Sequence, residues 1–468
     1  MSKVKSYLWT LLGKFGSQII YLLTNVLLAR ILTPEDFGTI GIVSIIFSVA
    51  ATLSDTGLGG ALMLEKKLTK ENCGTVFLFN FAVSNLLFLL VFFCAPYVES
   101  FYEVDGLSLI VKLLSLVFVI HAWSIVPKNI LIYQLKFKEC TIITLASVFI
   151  ASLMSVGLAY YGAGVYALVA YQIIQALLAA VLLFKYSHFT FNFKFDRQVF
   201  KRLFGFGVFT TATSLVDSIY ENLITSIFGK FVSINQAGYF FQSKKLEEAS
   251  TRSLMSTINS TTFPILSKIR HDKTVFMKDA KMLQDSVVLL LAPVLIFMGV
   301  YSREVIKIVY GEKWLEAAPY LSMLLVAGYF MIAESLNRSF IKSLGEVKQL
   351  FLFTLLKRII GISLIVLFAF VSVNNILYAY VLSAIIGYLT NSYVYSRILN
   401  VSIVKIILDS SLVFIFSGCL LFLIYVQHSF VEGYWGFLLT ILICIIYYFA
   451  FLPLIGIDLI KTIKSIFK

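Results

Sequence analysis

The stretch LLARILTPEDFG, Leu27–Gly38, ends a long apolar run on an arginine and then turns through Pro-Glu-Asp. Two hundred residues later SIFGKFVSINQAG, Ser226–Gly238, closes another apolar run on Lys230 and reaches a glycine at the same spacing. Arg30 and Gly38 thus have counterparts in Lys230 and Gly238. A second offset runs beside the first. FYEVDGLSLIVKLLSL from Phe101 resembles VYGEKWLEAAPYLSML from Val309, and Tyr102/Tyr310 and Asn129/Asn337 are each 208 positions apart. Each match is short, but all run in the same direction along the chain. They predict two six-helix lobes, residues 1–190 and 191–400, with two further helices and a tail in 401–468.

The composition says what kind of chain repeats itself. Of 468 residues, 59% are hydrophobic and 13% charged, against ~45–50% and ~25% in soluble domains. Apolar runs such as LLFLLVFFCAPYV, VVLLLAPVLIFMGVY and IIGISLIVLFAFV recur from end to end, and a helix that crosses a bilayer needs about 20 such residues. The expected fold is an all-α polytopic membrane protein of about fourteen transmembrane helices joined by short loops. Hardly any chain remains for a separate soluble domain. The N-terminal apolar run is too long for a signal-peptide core and has no small-residue cleavage site, so it counts as the first span. Five scattered cysteines and four scattered histidines argue against a disulfide framework or a metal cluster, and no cofactor is expected.

The formal net charge is +13. With a cytoplasmic N-terminus, alternate loops collect the cations: Lys66, Lys67 and Lys70; Lys194, Arg197 and Lys201; Lys268, Arg270 and Lys273; and the tail Lys461, Lys464 and Lys468. The opposite loops, among them PYVESFYEVDG, YYGAGVY and QHSFVEG, are acidic or neutral. This positive-inside pattern predicts both termini in the cytoplasm. The surplus charge sets topology and meets anionic membrane lipids; it implies no nucleic-acid partner. Both lobes then begin on the same side, a parallel repeat about an axis normal to the membrane, and transporters built from repeats hold substrate between the halves.

Polar residues inside the spans need a place to hide, since an intramembrane charge costs ~2.5–3.5 kcal/mol. At 100° per residue, Lys14, Gln18, Tyr21 and Asn25 share a stripe of span 1, and Ser44, Ser48, Thr52 and Asp55 share one of span 2. Span 7 aligns Thr210, Thr213, Asp217 and Glu221. Span 8 places Lys244, Lys245, Glu247, Glu248 and Arg252 within an arc of about 160°. Facing lipid, those five would cost on the order of 15 kcal/mol. Either they line water or the segment is not a membrane helix. The polar spans are the first two of each repeat, and one shared central cavity is the simplest expectation. Glu334 and Arg338 read as a structural i,i+4 pair, and Lys357 and Arg358 as the cytoplasmic entry of span 11. Arg30 and Lys230 either snorkel to headgroups or serve the cavity.

With ARILTPEDFG, LSDTGLGGALM, FGKFVSINQAGYF and LNRSFIKSLGEVKQ on the page, the chain resembles polysaccharide-transporter flippases. These are the Wzx-type, lipid-linked oligosaccharide branch of the MATE-like multidrug/oligosaccharidyl-lipid/polysaccharide exporter superfamily. The resemblance covers essentially the whole chain. It implies movement of undecaprenyl-diphosphate-linked sugar units from the inner to the outer leaflet of the bacterial cytoplasmic membrane. It also implies two lobes around a central, often cationic cavity and alternating access. By motif it carries over Arg30 and Asp55 alone. The two glutamates of span 8 depart from a purely cationic cavity.

On physical grounds Lys244, Lys245 and Arg252, helped by Lys14 or Arg30, are expected to attract the diphosphate through charge-assisted hydrogen bonds. Tyr21, Asn25, Tyr220, Asn222 and Asn259 are the candidates for sugar hydroxyls. Asp55, Asp217 and Glu221 are candidates for coupling to H+ or Na+. A cation-coupled multidrug exporter is the nearest alternative, using Asp217 and Glu221 against organic cations. A polysaccharide polymerase or glycosyltransferase is a distant one. It would need an outer loop with clustered acids, arginines or histidines, which neither long outer loop supplies, so the expectation is not an enzyme.

Overall fold

The computed structural model describes residues 3–55, 62, 68–187, 195–370, 373–431 and 433–451. Lys66, Lys67, Lys194, Lys461, Lys464 and Lys468 lie outside these, as do most of LSDTGLGGALM and the side chains of Asp55, Thr210, Thr213, Arg252 and Asn259. Contacts group the chain into two compact units, Met1–Phe241 and Gln242–Lys468. The first holds α1 (Lys3–Ile31), α2 (Pro34–Asp55), α3 (Lys70–Tyr102), α4 (Leu107–Tyr133), α5 (Phe137–Tyr160), α6 (Val165–Ser187), α7 (Arg197–Phe231) and the start of α8 (Ile234–Lys268). The second holds the rest of α8, then α9 (Lys273–Val300), the short α10 (Ser302–Val309), a 3-10 turn at Glu312–Ala317 and α11 (Ala318–Ser343). It ends with α12 (Val347–Ala369), α13 (Val373–Leu399), α14 (Ile403–Phe430) and α15 (Gly433–Phe451).

Among the described residues ten helices are long and apolar enough to cross a membrane. Adding α7, α8, α13 and α15, of 35, 35, 27 and 19 residues, gives the about fourteen spans read from hydropathy. The repeat is visible in the boundaries. α1 and α7 end at Ile31 and Phe231, and α2 and α8 begin at Pro34 and Ile234.

Local chemistry explains those boundaries. Thr33 precedes α2, and its Oγ1 accepts from the Asp36 amide at 3.3 Å while the Thr33 amide donates to Asp36 Oδ2 at 2.9 Å. This is a capping box, with Pro34 in the first helical position where its missing N–H costs nothing. Two hundred residues on, Ser233 plays the same part: its Oγ accepts from the Gln236 amide at 3.2 Å. Elsewhere Thr69, Asp196, Asp272 and Ser402 cap α3, α7, α9 and α14 in the same manner. The hydrogen bond from the Thr274 hydroxyl, ahead of those from the Val275 and Thr274 amides, holds the Asp272 carboxyl below the usual carboxylate range.

The glycine at a fixed distance from each cation now has a reason. A Cβ built on Gly38 would lie 2.0 Å from the carbonyl oxygen of Ile234, and one on Gly238 would lie 1.9 Å from that of Pro34. The first turns of α2 and α8 therefore cross backbone to backbone, each glycine seated on the first carbonyl of the other helix. Small residues at membrane helix crossings allow such an approach. The contact is reciprocal because the sequence repeats at offset 200. Close packing continues into α7, where a Cβ on Gly229 would lie 2.1 Å from Ile42 Cγ2, and the Phe228 and Phe240 rings stack at 4.9 Å.

Candidate functional site

The span 1 stripe winds from surface to interior. Lys14 and Gln18 are exposed, Tyr21 is half-buried with its ring 5.9 Å from Tyr171, and Asn25 is buried. Its neighbour Thr24 donates to Ser152 at 2.7 Å, tying α1 to α5. Arg30 is exposed in the last turn of α1. Its repeat partner Lys230 pairs with Glu103 at 2.9 Å and lies 5.1 Å from the centroid of Phe101. Glu103 sits in the left-handed region at the C-cap of α3.

The span 2 stripe does different work from the water lining expected of it. Asn222 on α7 donates to Ser48 at 3.0 Å and accepts from Ser44 at 3.2 Å, Thr52 and Ser218 share a hydrogen bond of 3.0 Å, and Ser226 donates to the Ile42 carbonyl at 2.9 Å. Serines, a threonine and an asparagine thus form a ladder between α2 and α7, each rung contributing about 0.6 kcal/mol in a membrane. Asn222 also donates to its own helix at Ser218 O, 2.9 Å away, so its amide is committed to structure and not to sugar hydroxyls. Tyr220 is buried on the same helix, and Asp217 and Glu221 are half-buried.

The span 8 charges lie near the middle of a continuous 35-residue helix. At 1.5 Å per residue Lys244 is about 10 Å along the axis from the midpoint of α8. Lys244 and Glu247 are 8% exposed. Lys244 Nζ is 4.0 Å and Lys245 Nζ 3.8 Å from the two oxygens of Glu248. Those separations exceed the ~2.7–2.9 Å of a charge-assisted hydrogen bond, so one carboxylate serves two ammonium groups through space. Glu247 turns to another side: its Oε1 accepts from Thr251 at 3.0 Å and rests where a Cβ on Gly328 of α11 would come within 2.7 Å. The four described charges sum to zero, two lysines against two glutamates.

A second charged cluster was misread in sequence. Lys357 is not at the entry of its span. It is the eleventh residue of α12, about 15 Å along the helix, and only 4% exposed. It forms a buried ion pair with Glu334 of α11 and donates to Asn391 Oδ1 of α13 at 3.1 Å. Arg338 reaches the same Glu334 Oε1 at 3.3 Å, and Asn391 donates to the Glu334 carbonyl at 3.3 Å. Glu334 Oε2 faces Gly387, whose Cβ would stand 2.7 Å away. Three helices of the second unit thus meet at Glu334: its carboxylate pairs with Lys357 of α12, and Asn391 of α13 joins through Lys357 and the Glu334 backbone carbonyl. The signal was the placement of Lys357 and Arg358 inside FLFTLLKRIIGISLIV with apolar residues on both sides: a cation there needs an acid from another helix.

A family model described as "Polysaccharide biosynthesis protein" matches residues 27–319, from the last turn of α1 through the first turn of α11. The chain belongs to this polysaccharide biosynthesis protein family. The matched region contains both glycine crossings, the α2–α7 ladder and the α8 charges. Relatives of this family member include the succinoglycan biosynthesis transport protein ExoT of Rhizobium meliloti, 21% identical, with 75% of this chain and 71% of that protein aligned. The lipopolysaccharide biosynthesis protein WzxC of Escherichia coli is 23% identical over 73% of this chain and 70% of its own length. Among solved structures, the lipid II flippase MurJ in an inward-closed conformation matches with a TM-score of 0.77 at 17% identity, covering 97% of this chain and all of that one. The chain therefore shares the fold of that structure.

Proposed function

We propose that this protein is a flippase. It translocates undecaprenyl-diphosphate-linked oligosaccharide units across the bacterial cytoplasmic membrane by alternating access, for surface polysaccharide synthesis. The observation that carries the reading is a set of ionic side chains within the long helix α8, Lys244 and Glu247 among them buried, in a member of the polysaccharide biosynthesis family. A diphosphate-linked sugar cannot cross about 30 Å of hydrocarbon unaided, because its charge and hydroxyls would lose their hydration. Membrane-buried ions mark the paths of polar cargo.

Two lobes, 1–190 and 191–400, would alternate around the substrate, with residues 401–468 alongside the polyprenyl chain and both termini in the cytoplasm. Lys244 and Lys245 would exchange their shared Glu248 for the diphosphate, since a carboxylate 3.8–4.0 Å away is a weaker partner than a phosphate oxygen in direct hydrogen bond. Arg252, Lys14 and Arg30 would add positive charge, and Tyr21, Asn25 and Asn259 hydroxyl contacts. Coupling to H+ or Na+ would use Asp55, Asp217 or Glu221. Curated relatives carry names from polysaccharide synthesis, which favours this cargo over an organic cation and transport over glycosyl chemistry.

The test is surface polysaccharide in a strain lacking the gene. The wild-type chain restores it. Lys245→Glu, at a side chain 30% exposed and so tolerant of replacement, is expected to lower export about tenfold at unchanged membrane level. Full export by that variant removes Lys245 from the site.

A further inference from the structure

A cavity of about 580 Å³ lies wholly inside the first unit, among α2, α4 and α6. None of its lining residues is among the candidates above. Part of its wall is aromatic, with the Phe47 and Phe118 rings stacked at 5.3 Å. Its polar lining is Ser54, His121, Ser124, Lys128, Asn129 and Gln172. Among the described residues this lining includes no acid, and no carboxylate reaches the exposed Lys128. The Ser54 hydroxyl is buried at 2% exposure and has no hydrogen-bond partner among the described residues. Asn129 donates to its own helix at Ile125 O, 2.9 Å away, which leaves its carbonyl oxygen as an acceptor.

The size fits a small ligand, for which pockets run about 300–1,000 Å³. The chemistry narrows the class. Among the described residues Lys128 has no carboxylate within ion-pair distance, which favours an oxyanion over an organic cation. Two amides and two hydroxyls supply directional partners for hydroxyl groups. An aromatic wall suits the apolar C–H face of a sugar ring, and a buried hydroxyl without a partner gains one when a polar ligand arrives.

We propose that this cavity binds an anionic saccharide, the ring against Phe47 and Phe118, its hydroxyls at Ser54, Asn129 and Gln172, and its oxyanion at Lys128. The proposal rests on the oligosaccharide-transport reading and adds to it a station inside the first unit alone. The oxyanion is either a phosphate at the reducing end or a carboxylate on an acidic sugar. Ser54 is one residue from the end of α2 and Lys128 five from the end of α4, so the station lies toward the end of the unit where α1 begins. On the positive-inside expectation that end faces the cytoplasm, where cargo is loaded.

The test is saturation-transfer NMR on the purified full chain in nanodiscs, titrated separately with glucose 1-phosphate, glucuronate, glucose and inorganic phosphate. One charged sugar is expected to bind at least about tenfold more tightly than glucose, the worth of one charge-assisted hydrogen bond. Lys128→Gln removes that preference, and Gln172→Ala weakens the charged sugar while leaving inorganic phosphate unchanged. Preference for glucose 1-phosphate assigns the oxyanion to the lipid linkage; preference for glucuronate assigns it to an acidic residue of the glycan. Equal affinity of wild type and Lys128→Gln, parity of charged and neutral sugars, or no transfer from any probe overturns the site. Polysaccharide export measured in the same strains separates the readings. Export by a wild type that shows no charged-sugar preference ends this proposal and leaves the flippase standing.

Discussion

Gly38→Ala and Gly238→Ala are each expected to lower the unfolding midpoint of the detergent-purified protein by about 6 °C. A methyl placed 2.0 Å or 1.9 Å from a carbonyl oxygen must retreat by at least about 1 Å to reach even a tight contact of 3.0 Å. The atom it meets is backbone, so no rotamer change relieves it. The crossing helices must separate, and overpacking of this kind costs about 3 kcal/mol, or about 6 °C for a unit of this size. Because the contact is reciprocal, the two variants should behave alike although they lie 200 residues apart. Gly157→Ala is the control: nothing stands within 4 Å of its Cβ on α5, and alanine there should be neutral or slightly stabilising through helix propensity. If Gly38→Ala and Gly157→Ala melt together, the α2–α8 crossing is not the close contact described.

The second large effect is at Glu334, and it is asymmetric. Glu334→Gln leaves Lys357 buried at 4% exposure with only amide partners and Arg338 beside it. Removing one partner of a buried ion pair costs about 3–5 kcal/mol, and here two cations lose the same acid. Lys357→Met should cost less, because Arg338 still stands 3.3 Å from Glu334. The double variant, Glu334→Gln with Lys357→Met, should recover part of the loss, since it removes the orphaned ammonium. Folded yield and thermal midpoint read the order: wild type, then Lys357→Met, then the double variant, with Glu334→Gln lowest. Glu334→Gln no worse than Lys357→Met would show that the carboxylate does not serve both cations.

The two clusters show where sequence reading succeeds and where it stops. Membrane class, helix number and the repeat were legible because hydropathy and a 200-residue offset are properties of the chain itself. The caps Thr33 and Ser233 went unread in the sequence, and the glycine after each drew notice only as spacing. Its purpose needed the other helix. The same holds for the polar stripe of α2. Ser44, Ser48 and Thr52 look alike whether they face water or α7, and only the positions of Ser218 and Asn222 decide for the ladder. Within one helix, periodicity found the α8 charges and the Glu334–Arg338 pair. It could not find Lys357, whose partner is 23 residues away on a separate helix. The cavity among α2, α4 and α6 had no linear signature at all, since its lining comes from positions 47 to 172 with no common spacing.

Translocation by the purified protein in liposomes is the most direct trial of the account. Fluorescent undecaprenyl-diphosphate-linked oligosaccharide is placed in both leaflets, and the fraction open to an external glycosidase is followed in time. Protein-dependent cleavage of the inner-leaflet pool, at least about tenfold faster than in protein-free vesicles and faster than with the Lys245→Glu variant, is the result expected. An inner pool that stays protected in vesicles containing correctly folded wild-type protein, supplied with proton and sodium gradients of either direction, would contradict the flippase.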